Sequence, residues 1–157
     1  MNPRPTGRMV GNALTLTRRF RAPIEDVWTS VTVSESTARW IGPWEGEPGV
    51  GKPIRFQMTH EQGAPWSDAT IEACEAPRHL IVTSHGDYGA RLELTLTQTG
   101  DTTELVFVHH LADRAMAPDY GPGWEYYLDA LVASRDGAPR PDFADYHPSQ
   151  QAYYLEA

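Results

Sequence analysis

Five stretches between Ile54 and Leu111 alternate apolar and polar side chains at every second residue: IRFQMTH (54–60), SDATIEACE (67–75), HLIVTSH (79–85), ARLELTLTQ (90–98) and TELVFVHHL (103–111). That period belongs to strands with one face on a core. The segments between them are EQGAP, APR, GDYG and TGDT. Parallel neighbours need a crossover of a dozen or more residues, so connections this short impose antiparallel hairpins. Whatever else the chain does, it must build an antiparallel meander.

The flanking segments supply the other layer. ALTLTRRF (13–20) alternates Leu14, Leu16, Arg18 and Phe20 against Thr15, Thr17 and Arg19, which reads as a first strand. The period then changes. Pro23 suits a helix start, Glu25 and Asp26 suit its first turn, and Ile24, Val27, Trp28 and Val31 form one apolar stripe. A second short helix is expected from Ser34, as N-cap, to just before Gly42-Pro43, burying Ala38, Trp40 and Ile41. A short strand is expected near 44–47. Pro118 and Gly121-Pro122-Gly123 break the pattern, and GWEYYLDALVASR (123–135) reads as a long helix stopped by Gly137. The end, APRPDFADYHPSQQAYYLEA, has no clear period but holds Phe143, Tyr146, Tyr153, Tyr154 and Leu155, which are expected to pack on this domain or on a neighbouring subunit. The fold class is therefore α+β: a curved antiparallel sheet of about seven strands, two short helices and a long C-terminal helix. Residues 1–138 form the domain and 139–157 a Pro- and aromatic-rich tail.

One motif invites a different reading. Gly46 to Lys52 carries the G-x-x-x-x-G-K spacing of a phosphate-binding loop. Such a loop needs a Ser or Thr after the lysine for magnesium, and a helix whose amides face the phosphates. Pro53 stands there instead, a strand pattern follows, and Glu45 and Glu47 repel a polyphosphate. The stretch is a Gly/Pro turn entering a strand.

Charge narrows the partners. The chain of 157 residues has 13 basic and 21 acidic side chains, a net charge of -8, which disfavours nucleic acid and anionic membranes. The single cysteine, Cys74, excludes a disulfide framework and a four-thiolate metal site. No apolar run reaches the ~20 residues of a membrane span, and the first residues lack an apolar signal core, so a soluble cytoplasmic protein is expected. His60-Glu61 lacks the second histidine of a zinc-protease helix, and no serine sits in a G-x-S-x-G elbow. Neither a metal nor a cofactor is called for.

The order of elements and its local wording resemble the helix-grip fold of the START-like (SRPBCC, birch-pollen-allergen-like) superfamily, and specifically bacterial proteins related to the C-terminal domain of the activator of the 90-kDa heat-shock-protein ATPase. Four stretches carry the resemblance: RRFRAPIEDVWTSVTVSESTARWIGP, GVGKPIRFQM, IEACEAPRHLIVT, and TELVFVHHL followed by GPGWEYYLDALVA. They span residues 14–135. The superfamily includes lipid carriers, polyketide cyclases, hormone receptors and co-chaperone domains, so the resemblance implies a fold and a cavity rather than one activity.

The implied cavity lies between sheet and long helix. Its expected walls are Phe56, Met58, Leu94, Phe107 and His109 from the strands and Trp124, Tyr127 and Leu128 from the helix, with Trp28, Trp40 and Trp66 closing the ends. The same side chains also suit a solid core. His109 faces inward with Leu105 and Phe107, and needs a hydrogen-bond partner: a ligand, a water, Tyr127 or Ser84. Three functions follow: a binder of a small apolar or aromatic molecule; a cyclase or aromatase using His109 and a tyrosine for proton transfer; or a protein-interaction module. The aromatic tail also makes a homodimer a candidate assembly.

Overall fold

A computed structural model describes residues 3–86 and 89–157. The central residues of the expected GDYG turn, Asp87 and Tyr88, lie outside the described residues. Eight strands form one antiparallel sheet: β1 Arg8–Val10, β2 Ala13–Phe20, β3 Trp44–Gly46, β4 Pro53–Gln57, β5 Trp66–Glu75, β6 His79–Ser84, β7 Arg91–Thr99 and β8 Thr102–His110. Their spatial order is β1-β2-β8-β7-β6-β5-β4-β3. From β3 onward every strand pairs with its successor, as the short turns require. Helices α1 (Ile24–Thr32) and α2 (Ser34–Thr37) carry the chain from β2 to the far edge, and the meander returns until β8 closes against β2. The strand beyond the expected seven is β1, a three-residue edge strand too short and mixed to show a period.

Sheet register sets one apolar face. Leu14 lies opposite His109, Leu16 opposite Phe107 and Arg18 opposite Leu105, while Leu92, Leu94 and Leu96 of β7 oppose His109, Phe107 and Leu105 in turn. This face is covered by α3 (Ala117–Asp136), whose Leu128 and Leu131 are fully buried.

Helix α3 starts six residues before the expected Gly123. Pro118 falls in its first turn, where a missing N–H costs nothing. Pro122 lies inside the helix and leaves the Pro118 carbonyl without its N–H partner; the side chain of Gln151, in α4 (Gln151–Glu156), donates to that carbonyl at 3.4 Å. Gly121 is needed for contact: a Cβ there would stand 2.5 Å from the ring of Tyr154. The breaker residues thus form a seat for the C-terminal segment. Helix α2 differs from expectation at both ends, and stops at Thr37 rather than just before Gly42-Pro43. Ser34 is not a cap; its hydroxyl donates to the Trp44 carbonyl at 2.7 Å and tethers β3. Gly42 has φ +155°, and a Cβ there would collide with the Gln57 carbonyl at 1.7 Å. The G-x-x-x-x-G-K stretch is the β3–β4 hairpin turn, with the exposed Lys52 ammonium 3.7 Å from Glu47.

The last residues pack on α3 and close over the first ones. Tyr146 and Tyr154 are buried among the core side chains. Tyr154 donates to Glu125 at 2.7 Å, and Tyr146 donates to Asp129 at 2.7 Å. Glu125, 1% exposed, also accepts from the Gly7 amide (3.1 Å), the Thr6 amide and hydroxyl, and Arg18 (2.9 Å). Burial pushes its carboxyl up, but the bonds from Arg18, Thr6 and Tyr154 outweigh this and hold it below the usual carboxylate range. Arg18 reaches Asp129 as well, at 3.0 Å. Substituting Tyr154→Phe removes one donor from a buried carboxylate and should cost about 2 kcal/mol. Urea unfolding should show a lower midpoint at unchanged slope; an unmoved midpoint would refute the clamp.

Candidate functional site

The buried apolar residues fall into two clusters. The larger lies under α3 and α1; the smaller comprises Ile54, Ala69 and Ile71 on β4 and β5, with Trp44, Phe56, Leu80 and Val82 packed against it. Between them lies a cavity of about 200 Å³. Its walls are Phe107 and Leu94 from β8 and β7, Phe56 and Ile54 from β4, Trp40 beyond α2, and Trp124 from α3. Among the described residues no charged side chain lines it.

The indole, hydroxyl and amide N–H donors on its wall are already engaged. Trp40 Nε1 donates to the Ser30 carbonyl (2.9 Å) and Trp44 Nε1 to the Thr32 carbonyl (2.7 Å). The hydroxyls of Thr32 and Thr37 donate to the Trp28 and Ser34 carbonyls, and Gln57 donates to the Ala64 carbonyl. What the wall offers a guest is therefore hydrocarbon and ring faces. Cys74 reaches the same wall through a change of register: β5 bulges between Ile71 and Ala73, so Cys74, opposite Leu80, joins the face of Ile71 while staying exposed. Strict alternation would have turned it away.

Of the side chains expected to form the wall, Trp40, Phe56, Leu94, Phe107 and Trp124 meet there. Met58 and Tyr127 lie instead on a second cavity across Trp124. Leu128 is sealed in the core at 0% exposure. Trp66 departs furthest: it opposes Gln57, one step out of phase with Ser67 and Ala69, so it lies on the outer face, 40% exposed, with the Arg55 guanidinium 5.0 Å over its ring. Trp28 packs against the larger cluster and lines neither cavity.

His109 is 3% exposed and also lines neither cavity. Its protein partner is neither Tyr127 nor Ser84. Trp124 Nε1 donates to His109 Nδ1 at 3.0 Å, and the Tyr120 ring meets the imidazole edge-on at 4.7 Å. Tyr127 donates to Glu61 at 2.5 Å, and Ser84 is engaged with Ala90. The Trp124 bond requires an unprotonated Nδ1, placing the proton of the neutral ring on Nε2. Burial, helped by the neighbouring His110, lowers the pKa to about 4, so the imidazole is a neutral acceptor at pH 7. Burial and Glu61 raise the Tyr127 hydroxyl, which stays a donor. Among the described residues no group of three or more His, Cys, Asp or Glu is placed to hold a metal ion, and no helix is long and apolar enough to cross a membrane.

The His109 pKa fixes a pH dependence. An unfolded chain takes up the proton near pH 6.5 and the folded one only near pH 4, so this contribution is complete above the first value and lost as pH falls towards the second. It amounts to about 3 kcal/mol. Asn at this position keeps an acceptor for Trp124 but cannot titrate. Urea midpoints measured between pH 7 and 4 should therefore fall more steeply for the wild type than for His109→Asn; parallel curves would contradict the assignment.

No curated protein sequence matches the chain. Solved structures do. CalU16 from Micromonospora echinospora is 24% identical over 96% of this chain and 92% of its own, with a TM-score of 0.76. A Bordetella parapertussis protein solved in solution is 24% identical over 99% of this chain and 94% of its own, with a TM-score of 0.79. DynU16, a protein of the dynemicin biosynthetic locus, is 19% identical over 84% of this chain and 50% of its own, with a TM-score of 0.70. These likenesses establish a shared architecture, the helix-grip arrangement described above, and leave the ligand open. The model of the family described as "Activator of Hsp90 ATPase homolog 1-like protein" matches residues 21–134, from the end of β2 to the last turns of α3. By that match over most of its length, the chain belongs to this START-like family.

Proposed function

We propose that the protein binds a small, neutral, apolar or aromatic molecule in the cavity between the sheet and α3. The observation that carries this reading is a cavity with no charged side chain among the described residues, whose tryptophan and threonine groups and Gln57 amide N–H are engaged by the protein itself. Such a wall selects by shape and apolar area, and penalises a guest that brings unpaired polar groups. Size narrows the class further. An apolar cavity of about 150 Å³ accepts benzene; one of about 200 Å³ accepts one or two fused rings.

Binding without turnover is the version the geometry favours. An acid–base cyclase needs His109 within reach of the guest. Its Nδ1 is occupied by Trp124, and its low pKa makes it a weak base at neutral pH.

Cys74 supplies a reporter, being the single cysteine and standing exposed on the cavity wall. Naphthalene and indole are suitable probes. At saturation near a hundredfold over Kd, a ligand adds about 2.7 kcal/mol, which for a chain of this length raises Tm by about 5–10 °C. The same probes should slow maleimide labelling of Cys74. Phe56→Arg, which places a guanidinium on the wall, should abolish both effects while the protein still melts cooperatively. Unchanged Tm and unchanged labelling for the wild type with both probes would refute the proposal.

A further inference from the structure

A second cavity of about 440 Å³ lies on the opposite side of Trp124, and its chemistry differs from the first. Its aromatic lining includes Tyr120, Trp124 and Tyr127 from α3 and Phe143 from the C-terminal segment; its carboxylates are Glu61, in the turn after β4, and Asp119. We infer that this cavity is a site for an organic ammonium ion, held by aromatic faces with Glu61 and Asp119 as its counter-charges. The site is separate from the apolar cavity, and either can fail without the other.

Three observations support the sign and type of ligand. Ring faces are electron-rich and attract cations, most strongly a weakly hydrated quaternary ammonium. Glu61 accepts from Tyr127 through Oε2 alone, and Oε1 has no donor among the described residues. Asp119 forms no ion pair among the described residues, although its place in the first turn of α3 also suits an acid. Phe143 is 45% exposed, yet it is held in place, edge-on to Tyr126 at 5.4 Å and stacked on His147 at 5.6 Å.

His60 lines the cavity, but burial, followed by the charge of Arg140, lowers its pKa below the usual value and keeps it neutral at pH 7. Arg140, not itself a lining residue, is held at the lining residue Tyr126: its guanidinium donates to the Tyr126 hydroxyl (2.8 Å) and the Trp40 carbonyl (2.9 Å), and lies 5.0 Å over the Tyr126 ring. Two carboxylates against one nearby guanidinium, with His60 neutral, leave the cavity net negative.

Choline and its uncharged isostere 3,3-dimethylbutan-1-ol separate charge from shape. Titration of the full chain, followed by the Trp124 indole N–H resonance, should give a saturable shift with choline in the low-millimolar range and none with the alcohol. Phe143→Ala and Glu61→Gln alter exposed side chains and should each weaken choline binding about fivefold. Naphthalene binding in the apolar cavity should be unchanged in both variants. Equal responses to choline and the alcohol, no saturable shift with choline, or wild-type affinity in either variant would overturn the inference.

Discussion

The structure depends on a mismatch of widths. Eight strands about 4.8 Å apart make a sheet more than about 30 Å across, and one helix about 10 Å thick cannot cover it. Helix α3 lies over β2 and reaches β8 through Trp124, and α1 lies over β7 and β8; beneath the two helices Leu14, Leu16, Leu96, Leu105 and Leu128 are sealed almost completely. The strands β4 and β5 fall outside its reach and gather their own small cluster around Ile54, Ala69 and Ile71. Sheet curvature, α1 and α2 bring the two clusters together without merging them, and the cavity is the seam. It needs no special device: Phe56, Leu94, Phe107 and Trp124 are core-type residues that face one another across an unfilled gap.

What holds α3 to one side is polar. Arg18 occupies a position on β2 where alternation would place an apolar residue, and it engages both Glu125 and Asp129 of the helix. A buried carboxylate is costly unless its oxygens are fully supplied with donors. Thr6, Gly7 and Tyr154 supply the remainder. The network therefore joins the first residues, the second strand, the long helix and the last helix at one point. Its directionality fixes where α3 sits, which apolar packing alone would leave free to slide. Trp124 then stands at the boundary, its indole N–H fixed on His109 and its ring serving as the wall between an apolar cavity and a carboxylate-bearing one.

Much of this architecture is legible in the chain. The alternation from Ile54 to Leu111, with turns too short for crossovers, specifies the meander, and parity along β7 and β8 places Leu94, Phe107 and His109 on the inner face. The same parity, followed back along β5 from Ile71 and Ala69, turns Trp66 outward. Other features are hidden for physical reasons. Pro118, Gly121 and Pro122 read as breakers because their compensation, Gln151 and Tyr154, lies about thirty residues downstream. The bulge in β5 that brings Cys74 to the cavity leaves no mark in composition. The side chain that bonds His109 is the Trp124 indole N–H on α3, and nothing in strand parity points to it. Arg18 within an apolar alternation was the available sign that a buried acid must face it.

The central claim is an empty apolar space at the seam, and xenon tests it without presupposing a ligand. Xenon enters dry apolar cavities and avoids polar ones. Crystals pressurised with the gas should show a strong site bounded by Phe56, Leu94, Phe107 and Trp124, and none beside Glu61 and Asp119. A seam that takes up no xenon, or that holds ordered water in its place, would contradict the account.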